Sequence, residues 1–241
     1  MRYRSILLLS ALIAAGVVTQ TAAAAAPASI LRPAEDIARD AARRPVDMVT
    51  FAHIGAGSKV ADFLPGHGYF SRVFATAVKP GGSVVAIVPA GAVAHDPAAR
   101  TTMDAIAAQY GDITVVSGLT DPAAHDLDVF WTAQNYHDLH NALPPEGVVA
   151  TNKAIFAALK PGGYYVVIDH AATAGSGLAA TNTLHRIDPA VVKAEAIAAG
   201  FVFDGESKLL VNPNDPHTAN VFDPSVRGKT DQFAYRFKKP G

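Results

Sequence analysis

From residue 59 onward, short runs of continuously apolar residues alternate with segments of helical character, and this alternation leaves few folds open. Lys59–Leu64 (KVADFL), Ser83–Val88, Ile113–Val116, Leu127–Thr132 (LDVFWT) and Tyr164–Asp169 (YYVVID) are apolar along most of their length, not only at every second residue. A strand of that kind is buried on both faces, which requires helices on both sides of a mostly parallel sheet. The helices fall between the strands. Tyr69–Val78 places Phe70, Val73, Phe74 and Ala77 on one face. Pro97–Tyr110 and Pro145–Leu159 have helical length, and Asp188-Pro189 opens a helix to Ala199 with Asp188 as its N-cap. Phe201–Leu210 and Gln232–Lys238 are expected as closing strands, and Ala34–Arg43 and Val46–Ile54 as two short helices divided by Pro45. The expected architecture is a doubly wound α/β fold.

The chain has 241 residues, and its start is patterned differently from the rest. Met1-Arg2-Tyr3-Arg4 is basic, Ile6–Val18 is almost wholly apolar, and Ala22–Ala26 offers small-residue cleavage sites. That is the three-part pattern of a secretory leader, and the apolar run is shorter than the roughly 20 residues that span a bilayer. Residues 1–26 are therefore expected to be a signal peptide and 27–241 a single exported domain, periplasmic or secreted, with no stable membrane insertion after cleavage. The absence of cysteine excludes thiolate chemistry and disulfide staples. Basic and acidic residues nearly balance, 20 against 21, with no basic block, which argues against nucleic acid as a partner.

In a doubly wound sheet, ligands bind beyond the carboxyl ends of the strands, where strand order reverses. The turn after the first strand reads Asp62-Phe63-Leu64-Pro65-Gly66-His67-Gly68-Tyr69. Its glycines allow close backbone approach, and the helix that follows points free N–H groups at an anion. A tight structural turn is the alternative. With this turn, two Lys-Pro-Gly-Gly stretches (79–82 and 160–163), a helix running into Ala199-Gly200-Phe201, and the terminal QFAYRFKKP, the chain resembles class I S-adenosylmethionine-dependent methyltransferases over about residues 45–240. NYHDLH, LHRID and VFDPSVRGKTDQF look like a secreted branch of that superfamily.

The resemblance implies a seven-stranded, Rossmann-like sheet with an antiparallel last strand, S-adenosylmethionine as cofactor, and methyl transfer to a small-molecule acceptor. The family's first motif, an acid, one residue and G-x-G-x-G, maps onto Asp62, Leu64, Gly66, His67 and Gly68, with Leu64 in place of the first glycine. The acid that holds the ribose in the family is replaced by Pro89, and the adenine would lie near Gly118 and Leu119.

The stretch after the fourth strand, Gln134–Asn141, is dense in polar side chains. The resemblance places it against the acceptor. His137 is a candidate general base, with Asn135 and Tyr136 as orienting groups. Two other readings stay open. One is a ligand-binding protein without methyl transfer. The other is a metal-dependent enzyme using His137, His140 and His170, since residues three apart share a helical face, with Asp169 beside them and His185 in the following segment. His185 and Arg186 are placed to reach the pocket, with a salt bridge from Arg186 to Asp188 or another surface acid as the alternative. Trp131 reads as core.

Overall fold

A computed structural model describes residues 32–241. The expected leader lies outside the described residues. In chain order the elements are α1 (Ala34–Ile37), α2 (Asp40–Arg43), α3 (Pro45–Phe51), β1 (Lys59–Phe63), α4 (Tyr69–Ala77), β2 (Ser83–Ile87), α5 (Ala90–His95), α6 (Ala98–Tyr110) and β3 (Ile113–Val116). A 3-10 turn (Pro122–Ala124) precedes β4 (Leu127–Ala133), α7 (Tyr136–Ala142), α8 (Pro145–Ala158), β5 (Leu159–His170), α9 (Thr181–Leu184), α10 (Pro189–Ala198), β6 (Val202–Ser207) and β7 (Gln232–Lys238).

The strands form one seven-stranded sheet in the order β3-β2-β1-β4-β5-β7-β6. β1 to β5 are parallel to one another, and β7 runs antiparallel to both β5 and β6. Successive strand residues feed two different cores. Val60, Trp131, Val166 and Ile168 face Met48, Phe70, Phe74, Met103 and Ile106 on one side. Ala61, Phe63, Phe130, Tyr165 and Val167 face Val148, Ile155, Val192 and Phe201 on the other. Burial on both faces is why these strands read as continuous apolar runs. Trp131 is fully buried between Phe70 and Phe74, as core.

Local chemistry sets several boundaries. Asp188 caps α10 by accepting from the Ala190 N–H at 3.0 Å, with Pro189 at the first helical position. Gly111, at φ +79°, ends α6. Several elements differ from expectation; Ala34–Arg43, expected as one helix, is split into α1 and α2. α8 ends at Ala158, but the strand expected from Tyr164 already begins at Leu159, so Lys160–Gly163 lies inside β5, where the register slips between the Leu127–Leu159 and Val129–Tyr164 pairs and Gly162 takes φ +80°. The stretch after β4 is largely the helix α7. The segment after β2 coils at once into α5, for which Pro89 is the N-cap.

The chain crosses from the β1–β2–β3 half to the β4–β5 half between β1 and β4, so the switch point lies between these neighbours. The turns after β1 and β4 share that crevice.

Candidate functional site

The turn after β1 holds Leu64, Gly66 and Gly68 all in the left-handed region, at φ +56°, +56° and +76°. These are the three alternating positions of the glycine motif. The backbone conformation persists where the first glycine does not, although a left-handed leucine costs about 1–2 kcal/mol. Two hydrogen bonds secure it. The Leu64 N–H donates to the Ile87 carbonyl at 3.0 Å, and the Asn135 side-chain amide donates to the Leu64 carbonyl at 3.0 Å. Asn135 thus ties the turn after β4 to the turn after β1.

The two glycines have different jobs. A Cβ built on Gly66 meets nothing within 4 Å, so the space beside it is open. A Cβ on Gly68 would stand 2.5 Å from Ile106 Cδ1 and 3.0 Å from Met103 Sδ, so Gly68 lets α4 pack on α6. The clearance expected at Gly68 for a ligand is taken up by the protein's own core. Asp62 is buried and accepts from the Ser71 hydroxyl at 2.6 Å. Burial raises its carboxyl to about 7, against the opposing pull of Ser71 and Arg43.

Around this turn α1 and α2 form a wall. Arg72 on α4 pairs with buried Asp36 at 2.7 Å, and the Tyr69 hydroxyl donates to Asp40 at 2.6 Å. Arg43 lies over the Tyr69 and Phe70 rings and donates to the Gln134 side-chain oxygen at 2.7 Å. Burial, with Arg39 nearby, lowers its guanidinium to about 10. Among the described residues no carboxylate lies within salt-bridge distance of it. Nothing in the sequence singled out Arg43, because its role follows from how α2 docks.

The other expected cofactor residues are more scattered. His67 is exposed, with Nε2 3.9 Å from Asp96, the C-cap of α5. Pro89 lies after β2 with no acid in the ribose position. Gly118 and Leu119 follow β3, where half-buried Leu119 packs against the core on the α8 and α10 side.

The third part is α7 and its neighbours. Tyr136 is turned away from the crevice. It is fully buried, donates to Glu195 at 2.7 Å and accepts from the Asn152 amide at 2.7 Å. Burial and the nearby Tyr165 and Glu195 raise its hydroxyl far above the usual range. The expected orienting role for Tyr136 is not supported by this geometry. His140 shares that pocket, with Nε2 3.1 Å from Glu195.

His137 faces the opposite way. Its Nδ1 stands 2.9 and 3.0 Å from the two oxygens of Asp169, so it carries a proton there, and its own N–H donates to Asp169 at 2.8 Å. The His170 N–H donates to the same carboxylate at 2.8 Å, and Asp169 is fully buried. Burial lowers His137, but Asp169 and Asp138 outweigh it and raise the ring to about 10. With Nδ1 held by Asp169, Nε2 is the ring's remaining nitrogen, and it faces Asp138 Oδ1 at 3.3 Å and His185 Nδ1 at 3.3 Å. His170 is the opposite: burial lowers it to about 4, and its Nδ1 meets the Thr230 hydroxyl at 2.8 Å.

The metal set expected from spacing does not assemble. His140 points at Glu195 and His170 at Thr230. The groups that do converge on His137 are Asp138 and His185. Asp138 is adjacent in sequence and carried no signal of its own; His185 lay in the LHRID stretch. Arg186 is fully buried and pairs with Asp215 at 2.8 and 3.1 Å, not with Asp188.

With this geometry in view, comparison with solved structures shows what the chain is similar to. A SAM-dependent methyltransferase from Aquifex aeolicus matches at 15% identity with a TM-score of 0.56, over 87% of this chain and 99% of the other. A putative sarcosine dimethylglycine methyltransferase from Galdieria sulphuraria matches at 16% identity and a TM-score of 0.58, over 82% and 84%. The cyclase SpnF matches at 15% and 0.58, over 82% and 80%. No protein-family model and no curated protein matches the chain. The fold is that of the class I S-adenosylmethionine-dependent methyltransferases. The likeness extends to a cyclase, so fold alone leaves the reaction open.

Proposed function

We propose that the chain binds S-adenosylmethionine in the crevice between β1 and β4 and transfers its methyl group to a small-molecule acceptor. The observation that carries this reading is the backbone of residues 64–68. Three alternating left-handed residues lead into the N-terminus of α4 at the switch point, with open space beside Gly66. The residues fit the amino-acid end of the cofactor. Gly66 leaves room for it, the first N–H groups of α4 suit a carboxylate, and Arg43 is a cation that feels Asp62 and Asp36 but makes no direct ion pair among the described residues. The ribose end lacks the usual carboxylate after β2. Asp96, beside His67, is the acid nearest that position along the chain.

When bound, the cofactor supplies a methyl group already activated by the sulfonium, so the protein's part is mainly alignment. Asn135 holds the two turns of the crevice together, and α1–α2 flank it. The basic and apolar pattern of the first 26 residues supports an exported enzyme. N-terminal sequencing of protein recovered outside the cytoplasm tests that; a chain still starting at Met1 would sink it.

Calorimetry with S-adenosylmethionine and S-adenosylhomocysteine tests the central reading. Saturable one-to-one binding in the micromolar range is expected, weakened at least tenfold by Arg43→Met. Folded protein giving no heat with high-micromolar ligand would remove the cofactor from this account. The neighbour SpnF keeps the second reading in play, a related fold used for other chemistry. Binding without methyl transfer to any of a panel of hydroxyl, amine and thiol acceptors would favour it.

A further inference from the structure

We infer that His137 Nε2, His185 Nδ1 and Asp138 Oδ1 form a site for one divalent ion of the zinc class, with a fourth position open to solvent. The three atoms come from α7 and from the residue that ends α9. They stand 3.3 Å (His137–His185), 3.3 Å (His137–Asp138) and 3.8 Å (His185–Asp138) apart. Ligands about 2.0–2.1 Å from a tetrahedral ion lie roughly 3.3–3.4 Å from one another, so the triangle fits with little movement. Two imidazole nitrogens and one carboxylate oxygen suit zinc better than magnesium or calcium, which favour all-oxygen shells.

The surroundings favour the same chemistry. Asp169 meets His137 Nδ1 with both oxygens, which leaves Nε2 as the coordinating nitrogen and fixes the ring's orientation. His185 sits at φ +54°, a strained conformation for a non-glycine residue, and Phe222 lies edge-on to its ring at 5.0 Å. The side chain of His137 is 3% exposed, while those of His185 and Asp138 are 31% and 46% exposed. The triangle is therefore anchored at one corner and open at the other two, the form of a catalytic site and not of a closed structural one. Asn135, two residues before His137, is bonded to Leu64, so the ion would stand on the same end of the sheet as the crevice. If methyl transfer is the reaction, the open position would hold the acceptor's oxygen or sulfur; that clause alone rests on the proposal above.

The full chain, stripped with chelator, loaded with one equivalent of zinc and desalted, is expected to retain about one ion per chain by elemental analysis. Cobalt in its place should give the intense visible absorption of a four-coordinate site. His185→Ala should weaken retention at least 100-fold. Asp169→Asn should weaken it about 10- to 100-fold through His137. His140→Ala, on the same helix but directed at Glu195, should leave it unchanged. Should His185→Ala fail to fold by circular dichroism, Asp138→Asn, at a half-exposed side chain, decides the matter. Wild-type protein that loses all its zinc on desalting, or a folded His185→Ala that keeps it, overturns the site and leaves a hydrogen-bonded histidine pair. Cofactor calorimetry on stripped and loaded protein separates the two proposals, because either ligand can bind without the other.

Discussion

The turn after β1 and the corner made by α7, the end of β5 and His185 are neighbours, joined by the Asn135–Leu64 hydrogen bond, yet they are built from different materials. The turn depends on backbone: left-handed residues at 64, 66 and 68, and free space beside Gly66. The corner depends on side chains: one buried carboxylate, Asp169, takes two backbone N–H groups and an imidazole N–H. A backbone site tolerates exchange of residues while the conformation holds, as Leu64 shows. A side-chain site of this density does not. Substitution should therefore affect stability first at the corner, and ligand binding first at the open part of the turn.

The largest effect is expected from Asp169→Ala. It leaves three N–H donors in the interior without their acceptor, and breaking a buried pair of this kind costs about 3–5 kcal/mol. For a domain of this size that lowers the melting temperature by roughly 6–20 °C. Thermal unfolding followed by circular dichroism measures it. A fall under 2 °C would mean that the corner is no tighter than the turn, and the contrast between them would fail.

Asp62 gives the next effect, and it depends on pH. Its folded pKa, about 7, is raised above the unfolded value, so the folded state holds a proton that the unfolded state releases. Its contribution is most favourable below about pH 4 and is lost as pH rises through 7. Asp62→Asn cannot titrate, so relative to it the wild type should lose roughly 3 kcal/mol between pH 4 and pH 7. Urea unfolding of both proteins at several pH values reads this directly. Parallel stability curves would show that Asp62 is ionised throughout, and that the interior beneath the turn is more polar than its burial suggests.

The contrast also explains what the sequence could show. Strands β1 to β5 were legible because double burial leaves a continuous apolar signature, and the spacing of Gly66 and Gly68 marked the turn. Lys160–Gly163 hid the start of β5, because proline and glycine do not read as strand, while β5 absorbs them as an irregularity. Helix α7 was hidden because Asn135 to Asn141 is polar, and one of its three buried positions, Tyr136, His137 and Leu139, is itself a histidine. The corner was less legible still. Its members are residues 137, 138, 169 and 185, and only the pairing of β4 with β5, Ala133 beside Ile168, brings the first three together. Spacing along one helix pointed to His140, whose ring turns to Glu195. Arg43 left no trace in the sequence, because its place over Tyr69 and Phe70 and beside Gln134 follows from how α2 docks.

The finest test lies within the turn itself, between Gly66 and Gly68. Both are left-handed, so alanine at either carries about 1–2 kcal/mol of backbone strain. Only at Gly68 does the added methyl also meet Ile106 and Met103, which adds about 1–3 kcal/mol of overpacking. Gly68→Ala should therefore melt lower than Gly66→Ala. For ligand binding the order should reverse, because the methyl at Gly66 enters space the protein leaves open. A several-fold loss of S-adenosylmethionine affinity is expected for Gly66→Ala, with a stability loss limited to the backbone strain, read by calorimetry and melting on the same preparations. If both variants bind normally, the open space beside Gly66 is not part of the ligand site, and the turn is left with packing and chain reversal as its only functions.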